Sequence, residues 1–334
     1  MKTARVIAVE RDLYTVRPTD GEDIQARLAG RLRHEAEDAT KLPCVGDSVA
    51  VEILAEVGVI HDVLPRDTVL RRKRPGKDID FQLIAANIDV AFVIQSCHFD
   101  FNVRRLERYL VMVREGQVEP VLLLTKTDLV SDSELERLID KVHLAGVDAE
   151  IVTLSNVTGA GLDRVRALLI PGKTYCLLGS SGVGKTTLIN RLACDAGFET
   201  RDVSQSGEGR HTTTRRQLIV LEGGSLLIDM PGMRELGMLG VREGLDDTFA
   251  DIGELAKGCR FTDCSHSAEP GCAVRAAIER HDLSEERLQD YLKLRKESAF
   301  HDLSYVEKRK KDREFGRFVH SAITSKRRLD DAGR

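Results

Sequence analysis

No apolar run in the 334-residue sequence approaches the ~18 residues of a membrane-spanning helix, which excludes a protein built on such helices. The first stretch, MKTARVIAVERDLYTV, alternates charged and apolar residues and lacks the unbroken apolar segment of a secretory leader. No C-x-x-C pair occurs, which argues against thiol–disulfide exchange chemistry. There is no internal repeat and no low-complexity linker. Nor does one sign of charge dominate: a formal net charge of −4 is not that of a wholly basic nucleic-acid binder. What is there, 42% hydrophobic and 31% charged residues, is the composition of a soluble globular chain of two or three domains, expected in the cytoplasm.

Three regions differ in pattern. Residues 1–74 carry short alternating runs broken by Gly, Asp and Pro: ARVIAVERDLYTVRP, DIQARLAGRL, GDSVAVEIL, GVIHDVLPR and TVLRRKR. Five short strands over this length suit a small OB-fold barrel, an oligonucleotide-binding architecture, whose last strand leads into Arg71, Arg72, Lys73 and Arg74. Residues 75–245 alternate continuous apolar runs (NIDVAFVIQS, VEPVLLLT, AEIVTLS, TYCLLG, GSLLIDM) with segments of helical spacing such as VRRLERYLVMVREG. Strands apolar on both faces and separated by helices predict βαβ units and a mostly parallel sheet. Residues 246–334 hold a cysteine cluster followed by helical, cation-rich stretches.

Within the second region, Gly179-Ser180-Ser181-Gly182-Val183-Gly184-Lys185-Thr186 fits G-x4-G-K-[ST] between a strand, TYCLL, and a helix, KTTLINRLACD, that also contains Thr187. The glycines let successive backbone N–H groups turn inward to phosphate oxygens, and the helix start adds its positive end. Lys185 would neutralise β- and γ-phosphates, and the Thr186 hydroxyl would ligate Mg²⁺. Asp229-Met-Pro-Gly232 follows the strand SLLI, 44 residues after Lys185. There Asp229 would hold Mg²⁺ through water and the Gly232 N–H would sense the γ-phosphate. Between them GEGRHTTTRR offers a first switch loop, with Thr212, Thr213 and Thr214 as candidates to reach Mg²⁺ and Thr213 or Thr214 favoured. The residue after D-x-x-G is Met233, which cannot orient water as a Gln would. His211 in the switch loop is the best candidate for that catalytic task.

No base-reading motif follows the phosphate loop. One precedes it: Thr125-Lys126-Thr127-Asp128 fits [NT]-K-x-D at a strand end. The Asp128 carboxylate can accept from both N1–H and N2–H of guanine, a pair adenine does not offer. The Lys126 stem can cover the ring, and the Thr125 hydroxyl can tie loops together. Ser155-Asn156 then stands where many GTPases have Ser-Ala, whose second backbone N–H bonds guanine O6. Base motif, second base loop, P-loop, switch loop and D-x-x-G form a GTPase set in rotated order, and permutation preserves a site because spatial position alone counts.

Four of the seven cysteines, Cys44, Cys97, Cys176 and Cys194, are scattered through apolar stretches as buried thiols. The others fall in CRFTDCSHSAEPGC, where Cys259, Cys264, His266 and Cys272 can close a tetrahedral shell around one structural zinc with no open position. From Lys293 to Arg328 there are twelve Lys or Arg against five Asp or Glu, interleaved with Tyr305, Phe315 and Phe318, which points to a polyanionic partner such as RNA.

TKTD, GSSGVGKTT, GRHTTT, DMPG and C-x4-C-x-H-x5-C, in this order and spacing, resemble the ribosome small-subunit-dependent GTPases of the RsgA (YjeQ/EngC) family over nearly the whole chain. The resemblance implies an α/β fold: an OB-fold barrel (1–74), a circularly permuted P-loop GTPase domain (75–245) and a zinc-binding helical domain with basic C-terminal helices (246–334). It also implies GTP hydrolysis to GDP and phosphate, stimulated by the small ribosomal subunit late in its maturation, with contacts to its rRNA, His211 as the catalytic histidine, Mg²⁺ with GTP, no membrane and a monomeric state. Two other readings fit the residues alone: a P-loop ATPase or small-molecule kinase, and a guanine-nucleotide-regulated RNA-binding module with little turnover.

Overall fold

In the N-terminal region, alternation of buried and half-buried residues along β1 (Lys2–Glu10), β2 (Leu13–Pro18), β3 (Ile24–Leu28), β4 (Ser48–Leu54) and β5 (Val57–Val63) gives each strand one apolar face. A short helix, α1 (Gly30–Glu35), lies between β3 and β4. The strands pair in the order β1-β2-β3-β5-β4, and β4 pairs again with β1, closing a five-stranded barrel around Val6, Tyr14, Val16, Ala26, Val49, Val51 and Ile60. The computed structural model describes residues 1–10, 13–35, 41–54, 57–73, 81–98, 101–194, 216–230, 242–267, 269–296 and 298.

One expected barrel strand lies elsewhere. The first run, ARVIAVERDLYTVRP, supplies two strands, so the barrel is complete without TVLRRKR. That run instead forms β6 (Val69–Lys73), which pairs antiparallel with β7 (Phe81–Ala86) in a separate ribbon. Its cations have partners: Arg71 bonds Glu115 at 3.1 Å, and Arg72 bonds Gln82 Oε1 at 3.1 and 3.2 Å. Period-two alternation marks a strand without saying which sheet it joins.

Beyond the ribbon come β8 (Val90–Ser96), α2 (Val103–Glu115), β9 (Glu119–Thr125), α3 (Asp132–Leu144), β10 (Glu150–Thr153), α4 (Leu162–Leu168), β11 (Thr174–Leu178), α5 (Lys185–Cys194), β12 (Gln217–Val220) and β13 (Leu226–Asp229). α2 begins where Asn102 accepts the Arg105 N–H and ends at Gly116. The sheet order β10-β9-β8-β11-β13 is parallel throughout. Alternate residues of these strands enter two separate cores, Val93, Leu122, Leu124 and Leu178 against α2 and α3, and Ile94, Leu123, Tyr175 and Leu177 against α4 and α5. β12 runs antiparallel to β13 and meets β1 at Ala8↔Gln217, so barrel and parallel sheet form one continuous eleven-stranded sheet. Arg5 reinforces the junction by donating to Asn87 O at 2.9 Å and Thr174 Oγ1 at 2.8 Å. Among the described residues no helix is long and apolar enough to cross a membrane.

The C-terminal unit contains α6 (Arg242–Thr248), α7 (Ala250–Ala256), α8 (Ala273–Glu279) and a helix over 285–296, here α9. It docks on α2. α6 crosses so closely that a Cβ on Gly244 would stand 2.1 Å from Val111 O, and Val111 itself belongs to the apolar core of this unit. Beside that contact, Arg287 of α9 is almost wholly buried. It donates to Glu107 Oε1 of α2 at 3.0 Å, to both Asp251 oxygens at 3.0 and 3.1 Å and to Thr248 O at 2.9 Å, and it stacks 4.3 Å over the Phe249 ring.

Burial pushes the Glu107 carboxyl up to about 7, and the Arg287 cation only partly opposes this. Arg287→Ala leaves a buried carboxylate unpaired and is expected to destabilise the protein by about 3–5 kcal/mol, read by chemical denaturation. A carboxyl raised in the folded state binds its proton more tightly there than in the unfolded chain. Its contribution to stability therefore falls as pH rises from about 4.5 through about 7. Glu107→Gln should flatten that part of the pH dependence.

Candidate functional site

In a parallel sheet every strand ends at the same edge, and loops leaving that edge share one crevice. β9 ends at Thr125, β10 at Thr153, β11 at Leu178 and β13 at Asp229. The segments TKTD, Ser155-Asn156, the phosphate loop and the start of D-x-x-G therefore meet at one edge of the sheet, whatever their order in the chain.

The phosphate loop turns out of β11 at Gly179, whose φ of +155° and close approach leave no room for a side chain: a Cβ would lie 2.5 Å from Ile94 O of β8. The Lys185 ammonium folds back onto the loop and donates to Gly179 O at 2.8 Å and Ser180 O at 2.6 Å. Burial lowers the Lys185 pKa and raises that of Asp229, while each charge favours the other's ionised form. A partly buried cation at the start of α5 and a carboxylate at the end of β13 suit a site for a polyanion with its metal. Ser181, Gly182, Thr186 and Thr187 are solvent-facing, and Val183 packs into the core.

Hydrogen bonds join the base loops to this loop. Thr125, fully buried, donates from Oγ1 to Val183 O at 2.7 Å and lies 3.2 Å from Gln95 O of β8. Lys126 adopts a left-handed conformation, φ +60°, and starts a 3-10 turn over Thr127–Leu129 that leaves Asp128 exposed. Ser155 Oγ donates to Asp128 Oδ1 at 2.5 Å and accepts from the Val157 and Thr158 N–H groups at 3.2 and 3.1 Å. Asn156 Nδ2 donates to Gly184 O at 3.1 Å. Among the described residues no backbone carbonyl accepts from the Asn156 N–H. The side-chain contact of Asn156 was not expected from sequence; its one signal there is an amide where an Ala is usual. His211, Thr212, Thr213, Thr214, Gly232 and Met233 lie outside the described residues, as do Arg74 and most of the cationic C-terminal stretch.

The structure also gathers the cysteine cluster. The ligand atoms of Cys259, Cys264, His266 and Cys272 all lie within 4.8 Å of one another. Nδ1 of His266 stands 3.7 Å from Cys259 Sγ and 3.6 Å from Cys272 Sγ, and the two sulfurs are 3.9 Å apart. His266 is held in a left-handed conformation at φ +60°, and Cys272 opens α8 by accepting the Arg275 N–H. Glu269 staples the loop by accepting the Ser265 and Ser267 N–H groups at 2.9 and 3.0 Å. These four residues can hold one metal ion.

Comparison with known proteins agrees with this arrangement. A family model described as RsgA GTPase matches residues 63–239. The chain is 43% identical over 316 residues to small ribosomal subunit biogenesis GTPase RsgA 2 of Lactiplantibacillus plantarum, covering 93% of this chain and 88% of that protein. It is 42% identical over 309 residues to small ribosomal subunit biogenesis GTPase RsgA of Opitutus terrae, covering 89% and 83%. The crystal structure of YjeQ from Thermotoga maritima superposes with a TM-score of 0.65 at 25% identity, covering 88% of this chain and 96% of that one. A second structure, of YloQ, described as a circularly permuted GTPase, has a TM-score of 0.62 at 25% identity, covering 88% and 93%.

Thr125→Val keeps the shape of the side chain and removes its donor. With Val183 O left buried and unpaired, the protein is expected to lose about 1–3 kcal/mol in denaturant unfolding, and Thr125→Ser, which keeps the hydroxyl, to lose less.

Proposed function

The chain belongs to the RsgA GTPase family, and from that premise we propose that it hydrolyses GTP to GDP and phosphate in late maturation of the small ribosomal subunit, binding the subunit and its rRNA in the cytoplasm. The observation that supports this reading is the pair of hydrogen bonds from Thr125 and Asn156 to the consecutive carbonyls of Val183 and Gly184, which join the loop carrying Asp128 to the loop carrying Lys185.

In this reading the Asp128 carboxylate accepts from guanine N1–H and N2–H, Lys126 covers the ring and the Asn156 N–H bonds O6. Backbone N–H groups of Gly179–Thr186 surround the phosphates, and Lys185 turns from the loop carbonyls to the β- and γ-phosphates. Mg²⁺, when bound with GTP, neutralises charge that builds on the phosphate oxygens. Thr186 and Asp229 would hold it, joined by Thr213 or Thr214, and the Gly232 N–H would meet the γ-phosphate. His211 would orient the attacking water, replacing the group Met233 cannot supply.

The cysteine cluster suits zinc. Bond lengths of about 2.3 Å to sulfur and 2.0–2.1 Å to nitrogen in a regular tetrahedron set S···S near ~3.8 Å and S···N near ~3.6 Å. The separations among Cys259, His266 and Cys272, 3.9 Å and 3.6–3.7 Å, fit within about 0.1 Å, and Cys264 completes the set within 4.8 Å. Three thiolates and one imidazole fill the shell, so the residues serve structure and tie the 259–272 loop to α8. The barrel and the cationic C-terminal stretch are the surfaces for rRNA.

GTP turnover by the purified protein should rise when small subunits are added and be lost in His211→Ala; turnover indifferent to both would favour the RNA-binding module. Asp128→Asn should shift preference from GTP toward xanthosine triphosphate, because an amide accepts from N1–H and donates to O2. An ATPase or small-molecule kinase would show no such exchange.

A further inference from the structure

We infer that the Asn156 side chain is a positioning residue for phosphate binding: through Gly184 O it orients the Lys185 backbone N–H toward the β-phosphate. The inference rests on the guanine-nucleotide reading of the site and adds a residue to it.

The argument is one of peptide geometry. In a trans peptide the C=O and the following N–H point in opposite directions and rotate together. Gly184 O and the Lys185 N–H share one peptide plane. Gly184 O is held twice, by Asn156 Nδ2 at 3.1 Å and by the Leu188 N–H at 2.9 Å. The preceding carbonyl, Val183 O, is held by Thr125 at 2.7 Å, and it shares its plane with the Gly184 N–H. The two base loops thus grip two consecutive peptide planes of the phosphate loop from behind and aim both N–H groups away from the base loops. A donor fixed before the ligand arrives needs no ordering when it binds.

Asn156 is suited to this and to little else. Only 8% of its surface is exposed, so the amide cannot lie over a base, and among the described residues its buried Oδ1 has no hydrogen-bond partner. The amide oxygen brings a desolvation cost and no bond, so the Nδ2 contact is what the side chain contributes. A flipped amide would set Oδ1 against Gly184 O, which fixes the assignment. Gly184 itself carries no side chain to compete, since a Cβ there would stand 2.8 Å from Nδ2.

The test compares GDP with GMP, which share the base and differ in the β-phosphate. Affinities are measured by calorimetry for GDP and by competition for GMP, on the full chain. Asn156→Ala should weaken GDP about five- to tenfold more than it weakens GMP, the worth of one hydrogen bond. Asn156→Asp, of the same shape, sets a carboxylate against Gly184 O and should narrow the GDP-to-GMP ratio further; it serves if the Ala variant does not fold. Equal losses for both nucleotides would mean that Asn156 acts on the base and would overturn the inference. A lowered melting temperature with an unchanged GDP-to-GMP ratio would show a purely structural role and also overturn it. Failure of the unaltered protein to bind GDP would instead refute the nucleotide reading itself.

Discussion

The hydrogen bond from the Thr125 hydroxyl to Val183 O is buried, short and unites segments 58 residues apart. It exists because β8 lies between β9 and β11 in parallel register, with Ser96 opposite Thr125 and Val93 opposite Leu178. Strand ends so aligned leave the base loop and the phosphate loop within reach of one side chain. Asp128, Ser155, Asn156 and Lys185 take their places from that alignment. Chain order is irrelevant to it, which is how a site can survive circular permutation.

Permutation does change what the site is attached to. The last described residue of the D-x-x-G segment is Met230, buried in the sheet core, and the chain is next described at α6, clamped onto α2. α2 also carries Glu107, the partner of Arg287. The C-terminal unit is therefore fixed to the same helix that packs beneath β8 and β9, the strands that carry Gln95 and Thr125. Nucleotide site and cysteine cluster share a mechanical neighbour. At the opposite end of the sheet, β12 joins β1 and makes the barrel an extension of the nucleotide-binding unit.

What was legible in the sequence was what is chemically local. G-x4-G-K-T, T-K-x-D and C-x4-C-x-H-x5-C each place their reactive atoms within a few residues, so spacing alone conveys geometry; four cysteine-cluster residues were named and all four converge. The apolar runs of β8, β9 and β11 announced a parallel sheet because both faces are buried. What was not legible depends on partners far away in the chain. TVLRRKR alternates as a strand in any sheet, and only its pairing with 81–86 shows that it leaves the barrel. Arg287 sits in a charged helix whose sequence resembles a solvated face, and its burial is decided by Glu107, 180 residues earlier. Asn156 shows in the sequence only as an amide where Ala is usual, because its side chain acts on Gly184 O, which no local pattern encodes.

The central claim is that rotated segments assemble one guanine-nucleotide pocket. A crystal structure of the protein with GDP and Mg²⁺ tests it most directly. The account predicts the Asp128 carboxylate within hydrogen-bonding distance of guanine N1 and N2 in the same molecule of GDP whose β-phosphate meets Lys185. A diphosphate in the loop with its base turned away from Asp128 would contradict it.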